Sequence, residues 1–197
     1  TIKNIALAGH AGTGKTTLME ALLYQGGCTE RMGSVAAGTT VSDYKPEEIK
    51  RHSSVCTATG SIQLDGLKVN LLDTPGMFDF AGGMIQGISA ADCVMITVSG
   101  KSGVRVGTKK AYRAAAGKPR MFVVTKLDDE NANFYNVLTD LKSTFGPSVC
   151  PVVVPVIVDR KVDSYINLIE MKAYRYDADG KAQEIPMPTS EVSEKLS

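Results

Sequence analysis

The chain has 197 residues, 43% of them hydrophobic, with 22 basic and 21 acidic side chains giving a net charge of +1. That apolar share supports a packed core and excludes a disordered chain, and the near-neutral charge gives no electrostatic ground for direct nucleic-acid or membrane binding. At this length one domain is the default, with room for an appended fragment.

In chain order, Ile2 to Ala8 reads as a first strand. It runs into Gly9-His10-Ala11-Gly12-Thr13-Gly14-Lys15-Thr16, the phosphate-loop pattern of Gly, four residues, then Gly-Lys-Thr. A helical pattern follows, with Leu18, Met19, Leu22 and Leu23, reaching about Tyr24 before Gly26-Gly27. In a strand-loop-helix context the glycines let backbone wrap closely round phosphate oxygens, and N–H groups at the helix start point at the anion. His10, Ala11, Gly12, Thr13, Gly14, Lys15, Thr16 and Thr17 are therefore expected to line a nucleoside triphosphate. Lys15 would reach the outer phosphates and the Thr16 hydroxyl would bind Mg²⁺. A glycine-rich turn that binds nothing is the competing reading.

Residues 28 to 55 are polar and weakly periodic, a long connection of the kind that is usually functional or mobile. Strands at Thr57 to Leu64 and Leu67 to Leu72 are joined by Asp65-Gly66, a hairpin signal. Cys93 to Val98 and Met121 to Val124 are continuous apolar runs, expected as buried central strands. Between them Val104 to Ala116 should be helical, stopped by Gly117-Lys118-Pro119. Phe134, Val137, Leu138, Leu141 and Phe145 share one helical face, with Asp129 and Glu130 favouring its start and Gly146-Pro147 ending it. Val152 to Val158 is one more strand. Lys172 to Tyr176 and Lys181 to Ile185 can pair across Asp177-Ala178-Asp179-Gly180, a turn lacking the later ligand positions of a calcium loop. Ser190 reads as a helix N-cap. Apolar runs alternating with helical segments point to an α/β fold round a mostly parallel sheet.

Cys28, Cys56, Cys93 and Cys150 are far apart and form no Cys-x-x-Cys pair, so reduced cytosolic thiols are a simpler reading than zinc or disulfides. No apolar run approaches membrane-spanning length, and no basic segment leads into one. A soluble cytoplasmic protein with no membrane partner is the expectation.

Two further motifs carry chemistry. Asp73-Thr74-Pro75-Gly76 follows the strand Leu67 to Leu72. There Asp73 can hold Mg²⁺ through a water while the Gly76 N–H senses a terminal phosphate. Thr125-Lys126-Leu127-Asp128 follows the strand Met121 to Val124 and is close to the Asn-Lys-x-Asp guanine motif. The Asp128 carboxylate would accept two N–H bonds from the guanine edge, which adenine does not offer. Such a site discriminates by about four orders of magnitude or more. Ligands of open α/β sheets bind at the carboxyl ends of strands, where all three motifs fall.

From about Asn4 to Pro186 the chain resembles the GTPase domain of elongation factor G, and more closely its elongation-factor-G-like branch. The resemblance rests on Gly-His-x-x-x-Gly-Lys-Thr-Thr at 9–17, Gly-Thr-Thr-Val-Ser-Asp-Tyr at 38–44 and Asp-Thr-Pro-Gly-x-x-Asp-Phe at 73–80. It extends through Gly-Val-x-Val-Gly-Thr at 103–108, Glu130 to Phe134, and Met171 to Tyr176. It implies a P-loop NTPase of the Ras-like G-domain type, with residues 1–158 as the GTP-binding domain and 159–197 as the start of a truncated insert. It implies GTP/GDP and Mg²⁺ as cofactors and GTP hydrolysis, with Lys15, Asp73 and Gly76 as catalytic residues. Nucleotide would also contact Thr125, Lys126 and Asp128, and Thr16, Ser54 and Asp73 would serve the metal. Ser54 would lie in a first switch and Asp73 to about Ile85 in a second, and the ribosome would be the partner.

Several positions depart from the family pattern. Met77 stands where the family places the histidine that positions attacking water, and methionine offers no comparable donor or acceptor. This motivates an alternative, a GTP-dependent binding switch with negligible hydrolysis. Ser54 replaces Thr but keeps the hydroxyl, and His52-Ser53 replace Gly-Ile. Gly12 replaces an Asp, and Thr125 replaces Asn as it does in Rac-type small GTPases. Neither His10 nor His52 is given a catalytic role. A phosphate-loop kinase is a third reading, opposed by Asp128 and the long connection.

Overall fold

The computed structural model describes residues 1–43, 45–51, 54–77, 80–159, 161–177 and 180–188. It divides into two compact units, Thr1–Ser99 with Arg105–Thr125, and Gly100–Val104 with Lys126–Ser197.

In the first unit β1 (Ile2–Gly9), β3 (Leu67–Asp73), β4 (Cys93–Ser99) and β5 (Arg120–Thr125) are parallel, and β2 (Ala58–Leu64) adds antiparallel to β3. The order is β2-β3-β1-β4-β5. Register places Leu7 beside Asp73 and Gly9 beside Thr97, so the phosphate loop and Asp73 leave the same end of neighbouring strands, level with Thr97 inside β4. The expected hairpin is present: Leu64 pairs with Leu67, with Asp65 at φ 47° and Gly66 at φ 76°.

Both faces of this sheet are covered, so β1 is apolar at consecutive positions rather than alternately. Leu7 packs with Met19 and Leu23 of α1 (Lys15–Gln25) and with Ile62, Val69 and Leu71. Ala6 and Ala8 face the other way, against Met84 and Ile88 of α3 (Ala81–Ala90) and Ala111 of α4 (Val106–Ala114).

Three differences from expectation have physical causes. The helix α3 was not expected, because Gly82, Gly83 and Gly87 each cost helix propensity. Packing explains Gly87, since a Cβ there would lie 2.5 Å from Thr74 Cγ2. Second, the strand at Met121 to Val124 is not central: β5 is the last strand of its sheet, and Met121 is 46% exposed. Third, the connection 28–55 holds a short helix, α2 (Pro46–Arg51), and buries Thr40, Ser42, Asp43, Glu48 and Ser54.

The second unit contains α5 (Phe134–Phe145), which buries Phe134, Val137, Leu138 and Leu141 on one face as the spacing requires. Its start is capped by Asn133, whose side chain accepts the Asn136 N–H at 3.0 Å, rather than by Asp129 or Glu130. Asp129 instead accepts the Asn131 N–H at 2.9 Å and pairs with Lys101. A four-stranded antiparallel sheet runs β6 (Val153–Val158), β7 (Lys161–Asn167), β8 (Lys172–Tyr176) and β9 (Ala182–Ile185). The expected 172–185 hairpin is therefore present, closed by the Gly180 N–H on the Asp177 carbonyl at 3.0 Å. The expected N-cap at Ser190 lies outside the described residues.

Candidate nucleotide-binding site

The loop from Gly9 to Gly14 turns β1 into α1 through left-handed residues, Gly12 at φ 74° and Gly14 at φ 82°. Gly14 is the N-cap of α1 and supplies no side-chain bond, so first-turn N–H groups remain for an anion. Thr13 is buried; its hydroxyl donates to the His10 carbonyl at 2.7 Å and lies 2.7 Å from Thr97 Oγ1. The loop is thereby fixed to β4.

Lys15 is only 6% exposed. Its Nζ donates to the His10 carbonyl at 2.9 Å and the Gly9 carbonyl at 3.5 Å. Burial holds its pKa below the ordinary lysine value, and the charges of Asp73 and Asp43 pull it back up. Gly76 comes close to the same place: a Cβ on it would collide with Lys15 Nζ and approach Ala11 N at 2.8 Å.

A line of oxygens runs beside this lysine. Thr16 Oγ1 donates to Asp73 Oδ2 at 2.6 Å and lies 3.2 Å from Ser54 Oγ. Ser54 Oγ donates to Asp43 Oδ1 at 2.7 Å. Asp73 is fully buried, and burial pushes its carboxyl up to about 7 against the opposing Thr16 hydrogen bond and Lys15 charge. Burial raises Asp43 as well, while the Ser54 hydrogen bond lowers it. Asp73 Oδ1 and Asp43 Oδ2 are buried with no hydrogen-bond partner among the described residues. Unsatisfied buried carboxylate oxygens are costly, and hard oxygens of this kind suit Mg²⁺. The donor set fits that ion.

Thr125 ends β5, and its hydroxyl donates to the Thr13 carbonyl at 2.8 Å, with Val98 O at 3.3 Å. The Asn-to-Thr departure thus keeps a donor on the phosphate loop. Lys126 and Asp128 belong to the second unit; both are exposed, and Lys126 adopts φ 56°. Ala11 is half-buried and Thr17 exposed. Met77 is half-buried, and its carbonyl accepts the Phe80 N–H at 3.2 Å. His10 has a lowered pKa, from burial first and then the Lys15 and Arg105 charges, all of which disfavour the charged ring. His52 lies outside the described residues.

Two contributors escaped the sequence reading. Thr97 is a polar residue inside an apolar strand, a signal that was present. Asp43 sits in a quoted motif but carries no spacing that marks it.

All four cysteines are free. Among the described residues no helix is long and apolar enough to cross a membrane.

The profile described as Elongation factor Tu GTP binding domain matches residues 1–193. An Elongation factor G-like protein of Mycobacterium tuberculosis is 42% identical over 182 residues, covering 91% of this chain and 25% of that protein. Ribosome-releasing factor 2, mitochondrial, of Anopheles gambiae is 31% identical over 200 residues, covering 99% and 27%. A crystal structure from Thermus thermophilus superposes with TM-score 0.92 at 43% identity, covering 98% of this chain and 29% of that one. The chain spans about a quarter of the length of these curated relatives.

Proposed function

The chain belongs to the elongation factor Tu GTP-binding domain family, and on that premise we propose that it binds and hydrolyses GTP with Mg²⁺ to drive a switch on the ribosome. The carrying observation is the line Thr16–Asp73 and Ser54–Asp43 laid beside Lys15 and the loop amides. Residues 1–158 carry this chemistry and residues 159–197 begin an insert subdomain. The parent protein works in the cytoplasm.

Each residue has a role. The N–H groups from Gly12 to Thr17, with His10 and Ala11 shaping the turn, hold the inner phosphates. Lys15 leaves the His10 and Gly9 carbonyls for the outer phosphates, exchanging neutral acceptors for charged ones. Thr16 and Ser54 hydroxyls and the Asp73 carboxylate would hold Mg²⁺, which would supply positive charge against the phosphates. Gly76, whose backbone stands too close to Lys15 Nζ for a Cβ, turns its N–H to sense the terminal phosphate. Thr125 braces the phosphate loop through the Thr13 carbonyl, and in the guanine motif the Lys126 stem packs on the base while Asp128 accepts its two N–H groups. Loss of the terminal phosphate releases the segments bearing Ser54 and Gly76.

Met77 favours a second reading, a GTP-dependent switch with negligible hydrolysis, because it stands in place of the family histidine and offers no donor or acceptor of comparable strength. Single-turnover cleavage by the full-length protein with ribosomes separates the two: family-like stimulation eliminates the switch-only reading.

The guanine assignment is tested with Asp128→Asn. Asn replaces one acceptor with a donor, so guanine loses a charge-assisted bond contributing roughly 1.5–3 kcal/mol and meets an opposing N–H. Xanthine carries a carbonyl where guanine has its amino group, and regains affinity in the variant. GTP, XTP and ATP compete against a fluorescent nucleotide for both proteins. An unchanged GTP-over-XTP ratio would mean the base is read elsewhere.

A further inference from the structure

The connection bearing Ser54 is held by two buried carboxylates that stand outside the nucleotide-binding set. Glu48, on α2, is 2% exposed. Its Oε1 accepts the Val55 N–H at 3.0 Å and the Cys56 N–H at 3.2 Å, and its Oε2 accepts the Lys45 N–H at 3.3 Å. Glu20, on α1 one turn beyond Thr16, is 1% exposed. Its Oε1 accepts the Val41 N–H at 2.8 Å and lies 3.5 Å from the Ser42 hydroxyl. Glu48 therefore grips the backbone next to Ser54, and Glu20 grips the backbone two residues before Asp43, Ser54 and Asp43 being the pair joined by the 2.7 Å hydrogen bond.

The simpler account of Glu48 is helix capping, since a glutamate in the first turn commonly reaches back to the N-cap N–H. That accounts for the Lys45 bond. It leaves Oε1 unexplained, because Val55 and Cys56 are seven and eight residues farther along and outside α2. Two consecutive amides converging on one buried carboxylate oxygen fix the peptide planes that follow Ser54, and charge-assisted bonds hold such a geometry more firmly than neutral ones.

We propose that Glu48 is a positioning residue for Ser54: it locks the backbone of Val55 and Cys56 so that the Ser54 hydroxyl faces Thr16 and Asp43 before nucleotide arrives. Glu20 anchors the opposite side of the same contact. The inference rests on the reading of Ser54 as the hydroxyl that meets metal with the triphosphate. Without the lock, Ser54 must be ordered at the moment of binding, and the ordering entropy is subtracted from GTP affinity. GDP, with no terminal phosphate to close the segment, is indifferent to it.

The test is a double-mutant cycle of Glu48→Gln with Ser54→Ala, read by calorimetry of GTP and GDP with Mg²⁺. Glu48→Gln should weaken GTP by about tenfold, the scale of one hydrogen bond to a charged group, and leave GDP unchanged. In the Ser54→Ala background that loss should vanish. Amide exchange in protein free of metal and nucleotide should show Val55 and Cys56 exchanging faster in Glu48→Gln. An equal loss in both backgrounds would reveal a merely structural role and overturn the proposal. So would unchanged GTP affinity in Glu48→Gln, or unchanged exchange at both amides. If Ser54→Ala alone leaves GTP affinity intact, the reading of Ser54 fails and its positioning residue with it. Should Glu48→Gln not fold, Glu48→Asp runs the same cycle, keeping the charge while retracting the oxygens by one methylene.

Discussion

Gly76→Ala probes the point where the second motif meets the phosphate loop. A Cβ at residue 76 would stand 2.8 Å from Ala11 N and 2.9 Å from Ala11 Cα, where ordinary contact begins at 3.4 Å. Relief requires the Gly76 backbone to retreat from the loop by about half an ångström, because Ala11 is backbone and cannot swing aside. Lys15 Nζ is the third neighbour, and the His10 carbonyl 2.9 Å away restrains it. The retreat carries the residue 76 N–H away from the terminal phosphate. A lost bond to a charged acceptor costs roughly 1.5–3 kcal/mol, a weakening of about 10- to 150-fold. GDP has no terminal phosphate and should lose far less. Calorimetric titration of GTP and GDP with Mg²⁺, wild type against Gly76→Ala, measures the difference. Equal weakening of both nucleotides would show that the alanine damages only the loop, and the phosphate-sensing role of Gly76 would be withdrawn. Wild-type GTP affinity would refute the crowding argument itself.

Lys15→Ala should abolish measurable triphosphate binding, because Lys15 is the buried cation at the outer-phosphate position; calorimetry showing unchanged affinity would reject the phosphate-loop assignment. Met77→His should raise ribosome-stimulated hydrolysis by the full-length protein, since a positioned acid or base contributes about 10²–10⁴-fold. No rise with binding intact would mean that Met77 does not limit the rate. Asp73 has a folded-state pKa of about 7, raised from 3.8 by burial. A raised carboxyl stabilises the fold below its unfolded pKa, and that contribution is lost as pH climbs through the folded value. Melting of the metal-free, nucleotide-free protein should therefore become easier between about pH 4 and pH 7, and Asp73→Asn should flatten the slope. An identical slope in the variant would assign the titration to another group.

Features encoded within a few consecutive residues are legible in the amino-acid sequence alone. The phosphate loop, the Asp65-Gly66 hairpin and the apolar face of α5 are of this kind, since turn chemistry and helical period act over short stretches. The carboxyl-end position of Asp73 follows from its place after an apolar strand. Other features depend on partners distant in the chain. The Thr125 hydroxyl reaches the Thr13 carbonyl across 112 residues, and Thr16 reaches Asp73 across 57. Sheet register determines both. The polar connection 28–55 shows no period, because it is ordered by buried carboxylates accepting backbone N–H groups rather than by an apolar stripe. Glycines at 83 and 87 conceal α3, whose contact with residues 74 and 75 leaves no room for a Cβ. Composition identifies β6 as a strand, but its sheet is decided by pairing with β7, and an apolar run carries no record of its neighbour. Local chemistry wrote the motifs; long-range hydrogen bonding and close packing decided which of them meet.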